Sequence, residues 1–429
     1  MKHTEIPRSG AALVLAGLVP LAMALAGEVA FAPATEAVAA AQAAQAAQVA
    51  QAAQAAQAAQ FDPLSVTFVS LETGWALGTV PCKASVACLA LEKTTNAGAS
   101  WAAAALPSGL LAQVDRKVNG RSALLPLGEA SLVNIRFADT LDGWVYADLP
   151  AANASQAVLW STHDGGRTWH QLHPFATADA LFPYFDLEAM AGNVYLMGVN
   201  TNFGVTVESS PVSRDAWHAD KTPKLSLPAG GAEPSGSFIF QDGRGWLVEG
   251  NDRGISGSAQ LVGPGEWEAW EPPCGDVGNS YTVPAASNAS DLVAICTMGG
   301  FASPLSKSAP PGAKIGSTWL YVSVNGGASF QAVAQLSSHF GQPFFDGALA
   351  SPSPGVILAE RSSSIEQLVA SFDGARHWSV VYNGSLFYLG FTSPAQGVGL
   401  VTTSTTETSI KTAMIMSFDG GHSWSRVNF

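Results

Sequence analysis

Thr162-His163-Asp164-Gly165-Gly166-Arg167-Thr168-Trp169 sets one carboxylate between two hydroxyls, two glycines and an indole. Ser417-Phe418-Asp419-Gly420-Gly421-His422-Ser423-Trp424 repeats the frame, as does Ser371-Phe372-Asp373-Gly374-Ala375-Arg376-His377-Trp378. Two copies carry Asn for Asp: Asn96 before Trp101, and Asn325 before Phe330. Two more are eroded, one ending at Trp217 after Ser210, the other at Trp267 or Trp270. A carboxylate among hydroxyls can bind metal or transfer protons. It can also accept hydrogen bonds from the N–H groups of its own turn, while glycine supplies positive φ and the indole anchors the next strand. Repetition along the chain favours turn-building. No catalytic, metal or cofactor role is therefore assigned to Asp164, Gly166, Trp169, Asp373, Trp378, Asp419, Gly421, Trp424, Asn96, Trp101 or Asn325.

Other chemistry-bearing residues are sparse. Glu249 and Glu360 end second strands of two repeat units and form the one candidate acid pair for a glycosidase. Acidic residues at strand ends are commonplace, and a structural role is expected. His163, His170 and His173 straddle a repeated turn without metal-ligand spacing. Arg136 stands alone on a first strand, where an ion pair or solvent contact is expected.

These residues need a scaffold, and a second signature supplies it. An apolar strand ends, a short turn follows, and then come Gly and a bulky residue: Phe68 to Gly74-Trp75, Phe137 to Gly143-Trp144, Phe240 to Gly245-Trp246, Phe391 to Gly397-Val398. Each unit reads as strand, turn, strand, variable loop, strand, box, strand. Seven units begin near Leu64, Ser131, Phe185, Ser237, Val283, Phe345 and Leu386. The predicted fold is all-β, a seven-bladed β-propeller of four-stranded antiparallel blades over residues 61–429.

The 429 residues are 47% hydrophobic and only 12% charged, which excludes a disordered chain. The net charge of -13 argues against nucleic acid as a partner. Lys2 and Arg8 precede an uncharged run from Ala11 to Gly27, with Ala24-Leu25-Ala26 as a cleavage site. Residues 1–26 are thus expected to be a signal peptide or a membrane anchor, the only membrane contact foreseen, with the rest outside the cytoplasm. Residues 27–60 form an Ala/Gln-rich low-complexity linker. The four cysteines then suit two disulfides, Cys82–Cys88 within one loop and Cys274–Cys296 across a connection and a strand end.

The boxes are similar to the BNR/Asp-box repeat, and the longer pattern resembles the photosystem II stability/assembly factor family. That resemblance covers roughly Leu64 to Phe429 and implies an extracytoplasmic assembly factor or binding platform. Sialidases, also built on such boxes, need several converging arginines; here eleven are scattered and the Phe/Tyr-Arg-Ile-Pro motif is missing. The expected function is a non-catalytic module, not an enzyme, that binds a protein or cell-envelope ligand. The alternative is a carbohydrate-active glycoside hydrolase of the Asp-box propeller type, which a convergent acid pair in the central funnel would favour. The expected ligand site is the long loop Pro107–Glu129, on the face opposite the boxes, through Arg116, Lys117 and Arg121.

Overall fold

The computed structural model describes residues 61–81, 88–110, 117–118, 121–122, 133–150, 155–172, 180–200, 204–225, 235–251, 254–274, 281–298, 305, 307–337, 348–361, 366–406 and 409–429. Seven four-stranded antiparallel sheets follow one another along the chain, each paired in sequence order. These are the seven blades. Their first strands are Asp62–Phe68, Val133–Phe137, Ala180–Met190, Ser235–Gln241, Tyr281–Ala286, Leu349–Ser353 and Ser385–Phe391. All seven first strands line one cavity, which makes them the inner strands around a central channel.

The Gly-Trp signature and the box form one interlock. Phe137 closes the inner strand of blade 2 and lies over the start of the second strand, where a Cβ on Gly143 would come within 2.4 Å of the ring. Phe68 over Gly74, Phe240 over Gly245 and Phe391 over Gly397 repeat the contact, with distances of 2.7, 2.4 and 2.8 Å. The box indole then meets the same ring edge-on: Phe68 with Trp101, Phe137 with Trp169, Phe391 with Trp424. Edge-to-face pairs of this kind add to the area that the rings bury.

Five turns share one hydrogen-bond pattern. Asp419 Oδ1 accepts from the Ser417 hydroxyl at 2.8 Å and from Ser423 N at 2.9 Å, while Oδ2 accepts from the Ser423 hydroxyl at 2.6 Å. Ser417 Oγ in turn accepts from Gly421 N at 2.8 Å. Asp164 does the same within its turn, and Asp373 differs only in that its Oδ2 meets the His377 ring Nδ1 in place of a hydroxyl. Asn96 and Asn325 keep the acceptor and donate through Nδ2 to Ser100 and Ser329. These bonds hold the ionised form, so the Asp419 carboxyl falls to about 2 through Ser423, and those of Asp164 and Asp373 lie well below the usual range. Blade 3 keeps only the hydroxyl: Ser210 Oγ accepts from Ala216 N and donates to Arg214 O. Blade 4 replaces the box with a tight turn at Gly265, φ 68°.

An inner strand pairs on one side only, so its other edge exposes backbone groups that need partners. Side chains from neighbouring blades supply them. The hydroxyls of Ser65 and Thr67 accept from Ile135 N and Phe137 N at 3.1 and 3.3 Å. Arg136 Nε donates to Leu187 O at 3.3 Å, Asp186 Oδ2 accepts from Phe238 N at 2.6 Å, and Glu360 Oε1 accepts from Leu386 N at 2.9 Å.

Blade 7 takes all four strands from one continuous run, Ser385–Arg426, so no strand is exchanged to close the ring. Side chains close it. Lys411 Nζ meets Asp62 at 2.7 Å, Thr412 Oγ1 donates to Pro63 O at 2.7 Å, and Gln396 Nε2 donates to Leu71 O at 2.8 Å. The terminal Phe429 ring packs on Phe61 and Trp101, with centroids 4.4 and 4.9 Å apart.

Cys274 and Cys296 form a disulfide, with Cα atoms 6.0 Å apart. Cys88 is disulfide-bonded as well, and Cys82 lies outside the described residues. Among the described residues, no helix is long and apolar enough to cross a membrane.

Candidate functional site: the central channel

The channel has a volume of about 1050 Å³. Its wall combines aromatic and aliphatic side chains, among them Phe68, Phe387 and Leu389, with small polar ones such as Ser65, Ser237 and Ser351. Only three charged side chains line it among the described residues: Arg136 from blade 2, Asp186 and Glu188 from blade 3. Strand periodicity explains the grouping. Alternate residues of a strand share a face, so Asn134 and Arg136 point with one another, and Asp186 with Glu188.

Arg136 and Glu188 are ion-paired, with 19% and 28% of their side chains still exposed to the channel. That exposure leaves both groups within reach of a ligand. Burial pushes the Glu188 carboxyl up; Arg136 pulls against this and Asp186 adds to it, leaving Glu188 at about 7. Burial also raises Asp186 to about 6, against the N–H of Phe238 and the charge of Arg136. Burial disfavours the Arg136 charge, but Glu188, Tyr388, Tyr146 and Asp186 more than offset it, so its pKa lies above the ordinary value. The cluster can therefore bind charge, and its carboxylates can exchange protons near neutrality.

Residues singled out from sequence lie elsewhere. Glu249 and Glu360 are buried, 0% and 2% exposed, and neither lines the channel. A Cβ on Gly257 would sit 2.4 Å from Glu249 Oε1, so that carboxylate is packed against its own sheet. His163 bridges two carboxylates, with Nδ1 2.6 Å from Asp142 and Nε2 3.2 Å from Asp215, which ties blade 2 to blade 3. Burial opposes the charged ring, but the two carboxylates outweigh it and raise its pKa. His170 is exposed and His173 lies outside the described residues. The Pro107–Glu129 loop contains a two-stranded hairpin, Lys117–Val118 with Arg121–Ser122. Arg116 and the side chains of Lys117 and Arg121 lie outside the described residues. Sequence reasoning picked out Arg136 but missed Asp186, Glu188 and Tyr388. The signal available was the alternation of polar residues along the inner strands.

No family model matches the chain, and no curated protein matches its sequence. Solved structures do. YCF48 bound to D1 peptide is 16% identical, over 84% of this chain and 92% of that one, with a TM-score of 0.48. The polysaccharide lyase PL25-Ulvanlyase is 10% identical over 84% and 95%, with a TM-score of 0.50. A prolyl endopeptidase is 11% identical over 92% of this chain but 55% of its own, with a TM-score of 0.50. The two likenesses with a TM-score of 0.50 agree with the propeller fold. They also overturn one expectation, that the chain is not an enzyme: the lyase and the endopeptidase carry the same fold, so the propeller does not argue against catalysis.

Proposed function

We propose that this protein is an exported binding propeller that takes a segment of a partner protein into its central channel. The channel itself carries the proposal: about 1050 Å³, walled by aromatic and aliphatic side chains interspersed with small polar ones, with one compact charged cluster to orient a guest. Concave sites with a few placed polar groups are where ligands bind. Export rests on the charged, then apolar amino terminus, and a disulfide between Cys274 and Cys296 suits an oxidising compartment.

One observation favours a second reading, a carbohydrate-active enzyme. Asp186 and Glu188 share the channel and titrate at about 6 and about 7, the range of working acids and bases. Their placement weighs on the other side. They sit two residues apart on one strand instead of flanking a sugar, and Glu188 is held by Arg136.

Panning a random peptide display library against the full chain tests the first reading. Ser237 faces the channel and is exposed, so Ser237→Trp projects an indole into the lumen and obstructs it without disturbing packed positions. The wild type should enrich a related set of peptides, and Ser237→Trp should retain none of them while melting at the same temperature. Equal capture by both proteins would place binding outside the channel.

A further inference from the structure

We propose that the segment held in the channel is basic, and that a Lys or Arg side chain flanked by apolar residues docks against Asp186 and Glu188. The inference rests on the binding role of the channel proposed above. Charge complementarity carries it. Among the described lining residues two carboxylates face one guanidinium, so the lumen holds an excess of one negative charge when both acids are ionised. That charge is confined to the seam between blades 2 and 3, and the other described lining residues are neutral.

A purely structural cluster would saturate itself, and this one does not. Arg136 uses Nε on Leu187 O and Nη2 on Glu188. Asp186 uses Oδ2 on the backbone of blade 4 and meets the backbone of Leu187 as well, so the open capacity of the cluster lies at Glu188. Glu188 keeps 28% exposure despite its partner, so a second cation can reach the pair from the lumen. Phe387 and Tyr388 of blade 7 add aromatic surface to the same lumen, which suits both an apolar flank and a cation over a ring. The protein's overall charge of -13 attracts basic chains towards the mouth, and the lumen then selects among them.

Two fluorescein-labelled nonapeptides, repeats of Val-Ser-Lys and of Val-Ser-Glu, provide the test by anisotropy on the full chain at pH 8 and low salt. The wild type should prefer the Lys peptide by at least about tenfold. The double variant Asp186→Asn, Glu188→Gln turns the lumen's excess charge from negative to positive and should lose that preference or invert it. Ser237→Trp should abolish the binding of both peptides. Equal, Ser237→Trp-sensitive binding of the two peptides would overturn the basic specificity and leave the channel standing as a site. Binding of the Lys peptide untouched by either variant would be surface attraction and would overturn both. No binding of the Lys peptide, with library peptides still captured in a Ser237→Trp-sensitive way, would overturn the basic specificity alone.

Discussion

Gly143→Ala should destabilise the protein by about 3 kcal/mol, although Gly143 has an ordinary backbone conformation. The reason is space. A Cβ at this position would lie 2.4, 2.5 and 2.6 Å from Cδ1, Cε1 and Cγ of Phe137. The Phe137 ring cannot retreat, because it stacks on the fully buried Trp75 with centroids 3.7 Å apart and planes 3° apart. Trp169 holds its edge at 6.2 Å. The strain thus reaches the interface between blades 1 and 2. Gly192→Ala is the contrast: its φ is +79° but nothing lies within 4 Å of a Cβ there, so only backbone strain of about 1 kcal/mol is expected. Denaturant melts of both variants check the order. A larger loss at Gly192 than at Gly143 would refute the interlock.

Stability should rise as pH falls from 8 to about 5, then drop below about pH 4. Glu208 is buried on blade 3, and burial, then the charge of Asp220, pushes its carboxyl from the ordinary 4.5 to about 7. Asp186 and Glu188 move from 3.8 and 4.5 to about 6 and about 7. A group whose pKa is raised on folding stabilises fully below its unfolded value and loses that contribution as pH rises through the folded one. The three carboxylates therefore favour the fold at pH 5 and burden it at pH 8. The effect is on the order of 1 kcal/mol per group, with Asp186 and Glu188 discounted for water in the channel. His163, also raised, has the same sign. The turn aspartates have the opposite one. Asp419 falls from 3.8 to about 2, so its contribution is present above 3.8 and is lost as pH falls towards 2. Thermal melts followed by circular dichroism from pH 3 to 8.5 should give a maximum near pH 5. Glu208→Gln should flatten the alkaline limb. A melting temperature that climbs steadily from pH 5 to 8 would contradict the assignment.

The blades were legible because their signals are local and repeated. Phe, Gly, Trp and the box fall within one unit, and the Phe–Gly contact and the turn hydrogen bonds that call for them close inside that unit, even where a ring such as Phe137 also packs on the neighbouring blade. Blade 3 shows where legibility ends. Its box has lost the carboxylate, its Ala191-Gly192 turn departs from the Gly-Trp pattern, and its inner strand carries the channel acids without any motif. Arg136 and Glu188 lie on different blades, and only the packing of blade 2 against blade 3 brings them together. His163 likewise draws its partners from a neighbouring turn and from the next blade. Glu249 and Glu360 looked like strand-end acids, yet both are buried away from the channel, which their position at a strand end does not reveal.

Site-specific photocrosslinking tests the central claim most directly. A benzoylphenylalanine placed at Ser237 looks into the channel, one at Val324 stands 76% exposed in the turn between the third and fourth strands of blade 5, and one at Val262 stands 50% exposed on the third strand of blade 4. Each is irradiated with the peptide selected by panning. Crosslinking from position 237 alone is the result that channel binding predicts. Crosslinking from 324 or 262, with none from 237, would contradict it.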